Sequence, residues 1–234
     1  MLIRLDQFRT SLKKLGSPAK AKISARFFKT GDGQYGAGDV FLGLTVPEQR
    51  TIAGKYTDLK YQDLQALFQS AIHEERLVAL LILVDRFKKT DGKGRSEVVK
   101  FYLKNTRRVN NWDLVDLSAD KILGEYLVDK DRKILYKLAK SDNLWERRIA
   151  IISTYAFIRK GDFEDTLKIV EILLNDRHDL IQKAVGWMLR EVGKRDVNIL
   201  FSFLDKHYKE MSRTTLRYAI ERFAPDKKSF YMKK

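Results

Sequence analysis

The stretch from Asn110 to Asp120, NNWDLVDLSAD, puts a tryptophan and two acids close together in an amphipathic segment. On a helix, Trp112 and Asp116 are four positions apart and share one face. A carboxylate beside an aromatic face suits the stabilisation of developing positive charge, the acid by Coulombic attraction and the ring by its quadrupole. Asp113 has a structural explanation, because it follows Asn110 and Asn111 near a helix start, where capping and the helix dipole favour an acid. Asp116 lies further in, between Val115 and Leu117, and its setting leaves the structural and functional readings both open.

Two further aromatic–basic groupings occur at comparable places downstream: Trp145 with Arg147 and Arg148, then Trp187 with Arg190. A tryptophan in a helical stack is ordinarily core, so each grouping has a packing reading beside a binding one. The three histidines, His73, His178 and His207, show no short-range pairing, which leaves a histidine metal site or a Ser–His–Asp triad with little support. Each histidine is expected at the surface or partly packed. With no cysteine there is no disulfide, thiolate zinc site or cysteine-bound iron–sulfur cluster. No cofactor or metal is expected, and any catalysis must rest on carboxylates, aromatics and arginines.

The elements that would position these groups recur along the chain. Helical segments begin at or near Arg76, Asp113, Arg147, Gln182 and Arg213, in steps of 37, 34, 35 and 31 residues. Between them lie RSEVVKFYLKN, DRKILYKLAKS, FEDTLKIVEILLN and DVNILFSFLDKHY, so each step holds one helical hairpin. The expected fold is all-α: an α-solenoid of HEAT-like repeats whose concave side forms a basic groove. A compact irregular bundle is the alternative. The organisation read from the sequence is one domain over 1–234, with an atypical helical cap at 1–50, repeats at 51–225 and a basic tail at 226–234. TGDGQYGAG, from Thr30 to Gly38, spaces Gly31, Gly33 and Gly36 as G-x-G-x-x-G, but no strand precedes it and Pro47 cuts short the segment after it, so it reads as a loop. TDGKGRSE, from Thr90 to Glu97, reads as a connector.

Lysine and arginine number 46 against 31 acids, a formal charge of +15 with a pI of about 9.8. A surplus spread along the chain predicts a polyanionic partner, nucleic acid first and an acidic membrane surface second. The longest apolar run, LVALLILV at Leu77 to Val84, is eight residues, against the roughly 20 needed to span a bilayer. The start, MLIRLDQFRT, lacks the apolar core of a signal peptide. The reading is a cytoplasmic protein, monomeric by default.

Four segments together resemble the DNA alkylation repair glycosylases of the AlkD type: FLGLTVPEQR (Phe41 to Arg50), WDLVD (Trp112 to Asp116), SDNLWERRIAI (Ser141 to Ile151) and IQKAVGWMLRE (Ile181 to Glu191). Their order and spacing agree with the repeat period. The resemblance implies a solenoid that holds duplex DNA and hydrolyses the N-glycosidic bond of cationic alkylated purines. A lyase step would need an amine nucleophile, and since no lysine is singled out by its setting, none is expected. The resemblance further implies that Asp116 is the catalytic carboxylate, Trp112 and Trp187 the aromatics against the deoxyribose, and Arg148 the phosphate-binding arginine. Arg190, Arg50, Arg147 and Lys183 are further expected DNA contacts. One departure is KISARFFKT, where Phe27 and Phe28 stand in place of an aromatic with a hydroxyl. The competing readings are a non-catalytic scaffold that binds nucleic acid and, more remotely, a scaffold for protein partners with salt-insensitive binding.

Overall fold

The run LVALLILV becomes the middle of a long helix around which the N-terminal half packs; Leu77 through Val84 are all buried. The computed structural model of the chain describes residues 2–233, and every regular element among them is helical, apart from one isolated parallel bridge between Val40 and Ile72. No described helix is long and apolar enough to cross a membrane. Two compact units divide the chain, Met1–Ser118 and Ala119–Lys234.

The first unit runs α1 (Leu2–Lys14), α2 (Pro18–Phe27), α3 (Val46–Lys55), α4 (Tyr61–Phe68), α5 (His73–Lys89), α6 (Gly92–Lys104), a single 3₁₀ turn at Thr106–Arg108, and α7 (Trp112–Asp116). Helix α5 lies at its centre, against α3, α4, α6 and α7. Helix starts follow local chemistry. Ser17 caps α2 ahead of Pro18, and Thr45 with Glu48 forms a reciprocal capping box that opens α3. The glycine-rich stretch from Thr30 to Gly38 is a chain of turns, as its composition predicts. TDGKGRSE departs from expectation, because α6 already begins at Gly92 and only Thr90 and Asp91 connect it to α5. Arg95 reaches back to the carbonyls of Phe87 and Thr90, and Val98, Val99 and Tyr102 bury one face of α6. Tertiary packing thus overrides the poor helix propensity of Gly92 and Gly94.

The second unit opens with a π-helical turn at Asp120–Gly124 and continues through α8 (Glu125–Leu127), α9 (Lys133–Ala139), α10 (Leu144–Ser153), α11 (Tyr155–Ile158), α12 (Glu164–Leu173), α13 (Asp179–Gly193), α14 (Val197–His207), α15 (Arg213–Ala219) and α16 (Pro225–Met232). Helices α10, α13 and α15 pack successively on one another; α9 packs on α10, and both α12 and α14 pack on α13. Their first residues, 144, 179 and 213, differ by 35 and 34, so the period read from the sequence is the repeat of the fold. Each of the three starts is capped by its own preceding side chain, Asn143, His178 and Ser212.

Two segments expected to be continuous helices are interrupted. In DLVDLSADKILGEYL the α-helix stops at Asp116, and Ser118 bonds back to the Leu114 carbonyl at 2.6 Å. In RRIAIISTYAFI the break falls at Thr154, where Ser153 and Thr154 bond back to Ile149 and Ile151, each at 2.7 Å. Hydroxyls that capture carbonyls in this way compete with the helical ladder. The basic tail folds as α16, held by buried Tyr231, whose hydroxyl donates to Asp205 at 2.7 Å.

Candidate active site

At the N-terminus of α5 the sequence HEER places four ionisable residues in a row, and all four are buried. Buried charge is costly unless it is paired, and each member here has its own partner. Glu74 accepts the backbone N–H groups of Leu42, Gly43 and Leu44 at 2.8–3.3 Å. Glu75 pairs with Arg9 at 3.1 Å. Arg76 donates to Asp39 at 2.5 Å and to the Ser70 carbonyl at 2.7 Å. His73 lies between two carboxylates, with Nε2 2.8 Å from Asp113 and Nδ1 3.3 Å from Asp39. This corrects the expectation that His73 is a surface or partly packed residue, since it is 2% exposed. Burial works against its charge, but Asp113, and after it Asp39, outweigh that and push its pKa up to about 9. Burial likewise disfavours a charge on Asp39, yet the His73 hydrogen bond and the Arg76 charge hold its carboxyl below the usual range.

Helix α7 is built on this cluster. Asn111 caps it by accepting the Trp112 N–H at 2.9 Å while its amide donates to Asp39 at 3.4 Å. Asp113 accepts the Leu114 N–H at 2.8 Å with one oxygen and faces His73 with the other, which bears out its reading as a structural acid. Leu114 and Val115 are fully buried, so the inner face of α7 is packed. Trp112 and Asp116 are both half-buried and lie one turn apart on the same helix. Behind Trp112 the Phe28 ring is stacked at 5.2 Å, followed by Phe41 at 5.0 Å, and Phe41 in turn stacks on His73 at 4.6 Å. Phe27 meets Trp112 edge-on at 5.8 Å. Arg50, by contrast, is exposed on α3.

The segment FLGLTVPEQR is explained by the same cluster. Phe41 supplies a ring to the stack, Leu42 to Leu44 supply the N–H groups that hold Glu74, and Thr45 and Glu48 start α3. Gly43 has φ 85°, and a Cβ there would lie 2.4 Å from the Ser17 carbonyl oxygen. Only glycine fits a backbone pressed this closely on another.

In the second unit, Trp187 is half-buried on α13, 6.1 Å from Tyr155. The Tyr155 ring also carries the guanidinium groups of Arg159 at 4.7 Å and Arg195 at 5.7 Å. Arg148, on α10, is only 5% exposed and donates to the Leu180 carbonyl in the first turn of α13. His178 caps α13 by accepting the Leu180 N–H at 3.2 Å, and burial lowers its pKa, in keeping with an acceptor nitrogen. Arg147 pairs with Asp176 at 2.7 Å and donates to the carbonyls of Ser141 and Asp142, both at 2.9 Å, which fastens the α9–α10 connection. Lys183 pairs with Asp179 at 2.6 Å, and Arg190 forms an ion pair with Glu221. Trp145 is core at 6% exposure, so the aromatic of its grouping is a packing residue.

Sequence reasoning passed over the His73 cluster and the Phe28–Phe41 stack. The signal available was HEER itself, four ionisable residues directly ahead of an eight-residue apolar run. Among the described residues no group of three or more acids and histidines could hold a metal ion.

A sequence model described as DNA alkylation repair enzyme matches residues 8–223. A structure described as a predicted DNA alkylation repair enzyme from Enterococcus faecalis is 18% identical, superposes with a TM-score of 0.71, and is covered over 97% of its length by 90% of this chain. The X-ray structure of AlkD2 from Streptococcus mutans is 19% identical, with a TM-score of 0.60, 88% of this chain covering 99% of that one. At these identities the two structures establish a shared helical fold. No curated protein sequence matches the chain.

Proposed function

The chain belongs to the DNA alkylation repair enzyme family, and on that premise we propose that it is a DNA glycosylase that hydrolyses the N-glycosidic bond of cationic alkylated purines, of the 3-methyladenine and 7-methylguanine type, in duplex DNA. The observation that carries the reading is α7. Its inner face is fixed by Asp113, Leu114 and Val115, while Trp112 and Asp116 share a turn and keep part of their surface. An acid and an aromatic one turn apart on a five-residue helix whose inner face is packed make a site for a developing cation.

The chemistry needs no more than that. A purine alkylated at a ring nitrogen already carries positive charge and leaves without protonation, so no general acid is required. As the glycosidic bond lengthens, positive charge builds on the sugar, and an ionised Asp116 stabilises it while orienting the attacking water. The aromatic face of Trp112 adds roughly 0.5–2 kcal/mol where water is excluded, and the resemblance implies a contact with the deoxyribose for Trp187. Arg148 contributes a fixed positive charge toward the DNA phosphate, and Arg50, Lys183 and Arg190 contribute to backbone affinity. Hydrolysis ends with an abasic site, with no Schiff base and no strand cleavage, so borohydride should trap no enzyme–DNA adduct.

The test is release of free 3-methyladenine and 7-methylguanine from methylated duplex DNA by the wild type and Asp116→Asn. Loss of preorganised charge stabilisation typically costs about 10²–10³ in rate, so the variant should bind DNA normally and release base at least about 100-fold more slowly. Equal release by both proteins removes Asp116 from the reaction. Release by neither, with DNA bound, favours the non-catalytic scaffold.

A further inference from the structure

We propose that His73 is a positioning residue for this reaction: donating from both ring nitrogens, to Asp113 on one side and Asp39 on the other, it clamps the first turn of α7 and so holds Trp112 and Asp116 in register without touching DNA. The inference rests on the glycosylase reading of α7 given above.

The geometry carries it in three steps. A helix of five residues does not hold itself together, since its nucleation cost exceeds what one turn of hydrogen bonds returns. Its form must come from outside, and the two residues that open it are both tied to the His73 cluster, Asn111 through Asp39 and Asp113 through His73 directly. The Trp112 ring is tied to the same imidazole by a second route, through the stacked rings of Phe28 and Phe41. Finally, both ring nitrogens of His73 face carboxylate oxygens, at 2.8 and 3.3 Å. A neutral imidazole has one N–H and one lone pair, so it can satisfy only one of these acids and must turn a lone pair toward the other. The arrangement is therefore one that only the imidazolium completes.

The charges facing His73 are few. Asp39 comes from the loop before α3, Asp113 from α7, and Arg76 from its own helix, one turn on. Glu74 and Glu75 are turned away, to the 42–44 backbone and to Arg9. From the end of α2 and the segment around Phe41, His73 meets the rings of Phe28 and Phe41, and its backbone N–H donates to the Val40 carbonyl at 2.8 Å. With His73 protonated, the two acids and two bases balance. On loss of that proton the cluster is left with one uncompensated negative charge in a buried site, and the clamp on α7 opens. Base release should therefore fall on the alkaline side near pH 9, through a group that never contacts the substrate.

Two measurements decide the matter. The first is single-turnover base release from pH 6.5 to 10, corrected for spontaneous loss, for the wild type, His73→Gln and Asp113→Asn. The wild-type rate should fall about tenfold per pH unit above the His73 transition. In Asp113→Asn the transition should move to lower pH, and in His73→Gln the limb should vanish, with the plateau lowered about tenfold or more. The second uses the wild type alone and so survives a variant that fails to fold: the ring ¹⁵N shifts of His73 and the indole resonance of Trp112 are followed over the same pH range. Expected is double protonation of His73 at neutral pH and a Trp112 shift that tracks its titration. A folded His73→Gln with the wild-type rate and wild-type alkaline limb overturns the proposal, as does a Trp112 resonance indifferent to His73. If the wild type releases no base at any pH, the glycosylase reading falls by itself, and the Trp112 titration alone then decides whether the clamp exists.

Discussion

Replacing Gly43 by alanine tests whether the backbone around the Glu74 cradle is as tightly determined as the geometry says. The new Cβ would lie 2.4 Å from the Ser17 carbonyl oxygen and 2.5 Å from the Ala21 nitrogen, both backbone atoms that no side-chain rotation can move. The residue would also have to keep φ near 85°, which costs an L-amino acid about 1–2 kcal/mol. Relieving the clash parts α2 from the Leu42–Leu44 segment, and that movement works against the Ser17 N–H to Leu42 carbonyl bond at 2.8 Å and the Gly43 N–H to Glu74 bond at 2.8 Å. Losing a hydrogen bond to a buried charge costs about 1.5–3 kcal/mol, so the total is on the order of 3–5 kcal/mol. Two companion substitutions separate the contributions. Gly33→Ala has φ 73° with nothing near its Cβ, so only the conformational cost of about 1–2 kcal/mol should appear. Gly54→Ala sits in α3 with open space around it and should be neutral or stabilising by up to about 1 kcal/mol. Urea unfolding followed by circular dichroism ranks the three. If Gly43→Ala costs no more than Gly33→Ala, the close approach of the two backbones does not constrain the fold and the steric reasoning is refuted.

The raised pKa of His73 fixes a stability window as well. A folded value of about 9 against an ordinary value near 6.5 means a contribution fully present below about pH 6.5 and lost as pH rises through 9; the difference of about 2.5 units corresponds to roughly 3 kcal/mol. Urea midpoints of the wild type at pH 6, 7.5 and 9.5 should fall accordingly, and those of His73→Gln should not show this decline. Glu74→Gln keeps one acceptor but removes the charge shared among three N–H groups, and should destabilise by about 1.5–3 kcal/mol in the same assay. Arg147 and Lys183 should separate by phenotype. Arg147→Ala, which cuts the Asp176 pair and two carbonyl bonds, should lower the thermal midpoint and leave the salt dependence of DNA binding unchanged. Lys183→Ala should leave the midpoint alone and reduce the slope of log K against log salt by about one; equal slopes for Lys183→Ala and wild type would remove Lys183 from the phosphate contacts.

Much of the fold was legible in the sequence because it is set locally. The spacing of apolar residues in α10, α13 and α15 gives the repeat, and cap residues such as Asn143, Asp196 and Ser212 stand directly before the helices they start. The neighbour relation of Trp112 and Asp116 follows from helical spacing alone, and α7 keeps it. What was hidden depends on partners far along the chain. His73 reads as an isolated histidine because Asp39 and Asp113 are 34 and 40 residues away. Arg147 reads as a free basic group because Asp176 is 29 residues away. The helix breaks at Ser118 and Thr154 were missed for a different reason. Serine and threonine inside an apolar pattern look like helix interior, and only the observed bonds to Leu114, Ile149 and Ile151 show the hydroxyls competing with the ladder.

The four-charge turn at the start of α5 also sets an order of assembly during synthesis. Its partners are spread from Arg9 to Asp113, so the turn cannot be neutralised by any chain that ends before residue 113. A nascent chain that has exposed α1 to α6 holds Arg9, Asp39 and the 42–44 backbone, enough for Glu74, Glu75 and Arg76, but His73 still lacks the acid that makes its charge favourable. The first half of the protein is therefore completed when α7 leaves the ribosome. The segment bearing Trp112 and Asp116 closes the unit, and a chain stalled before it should remain open to protease at α5 while the same chain extended past it should not.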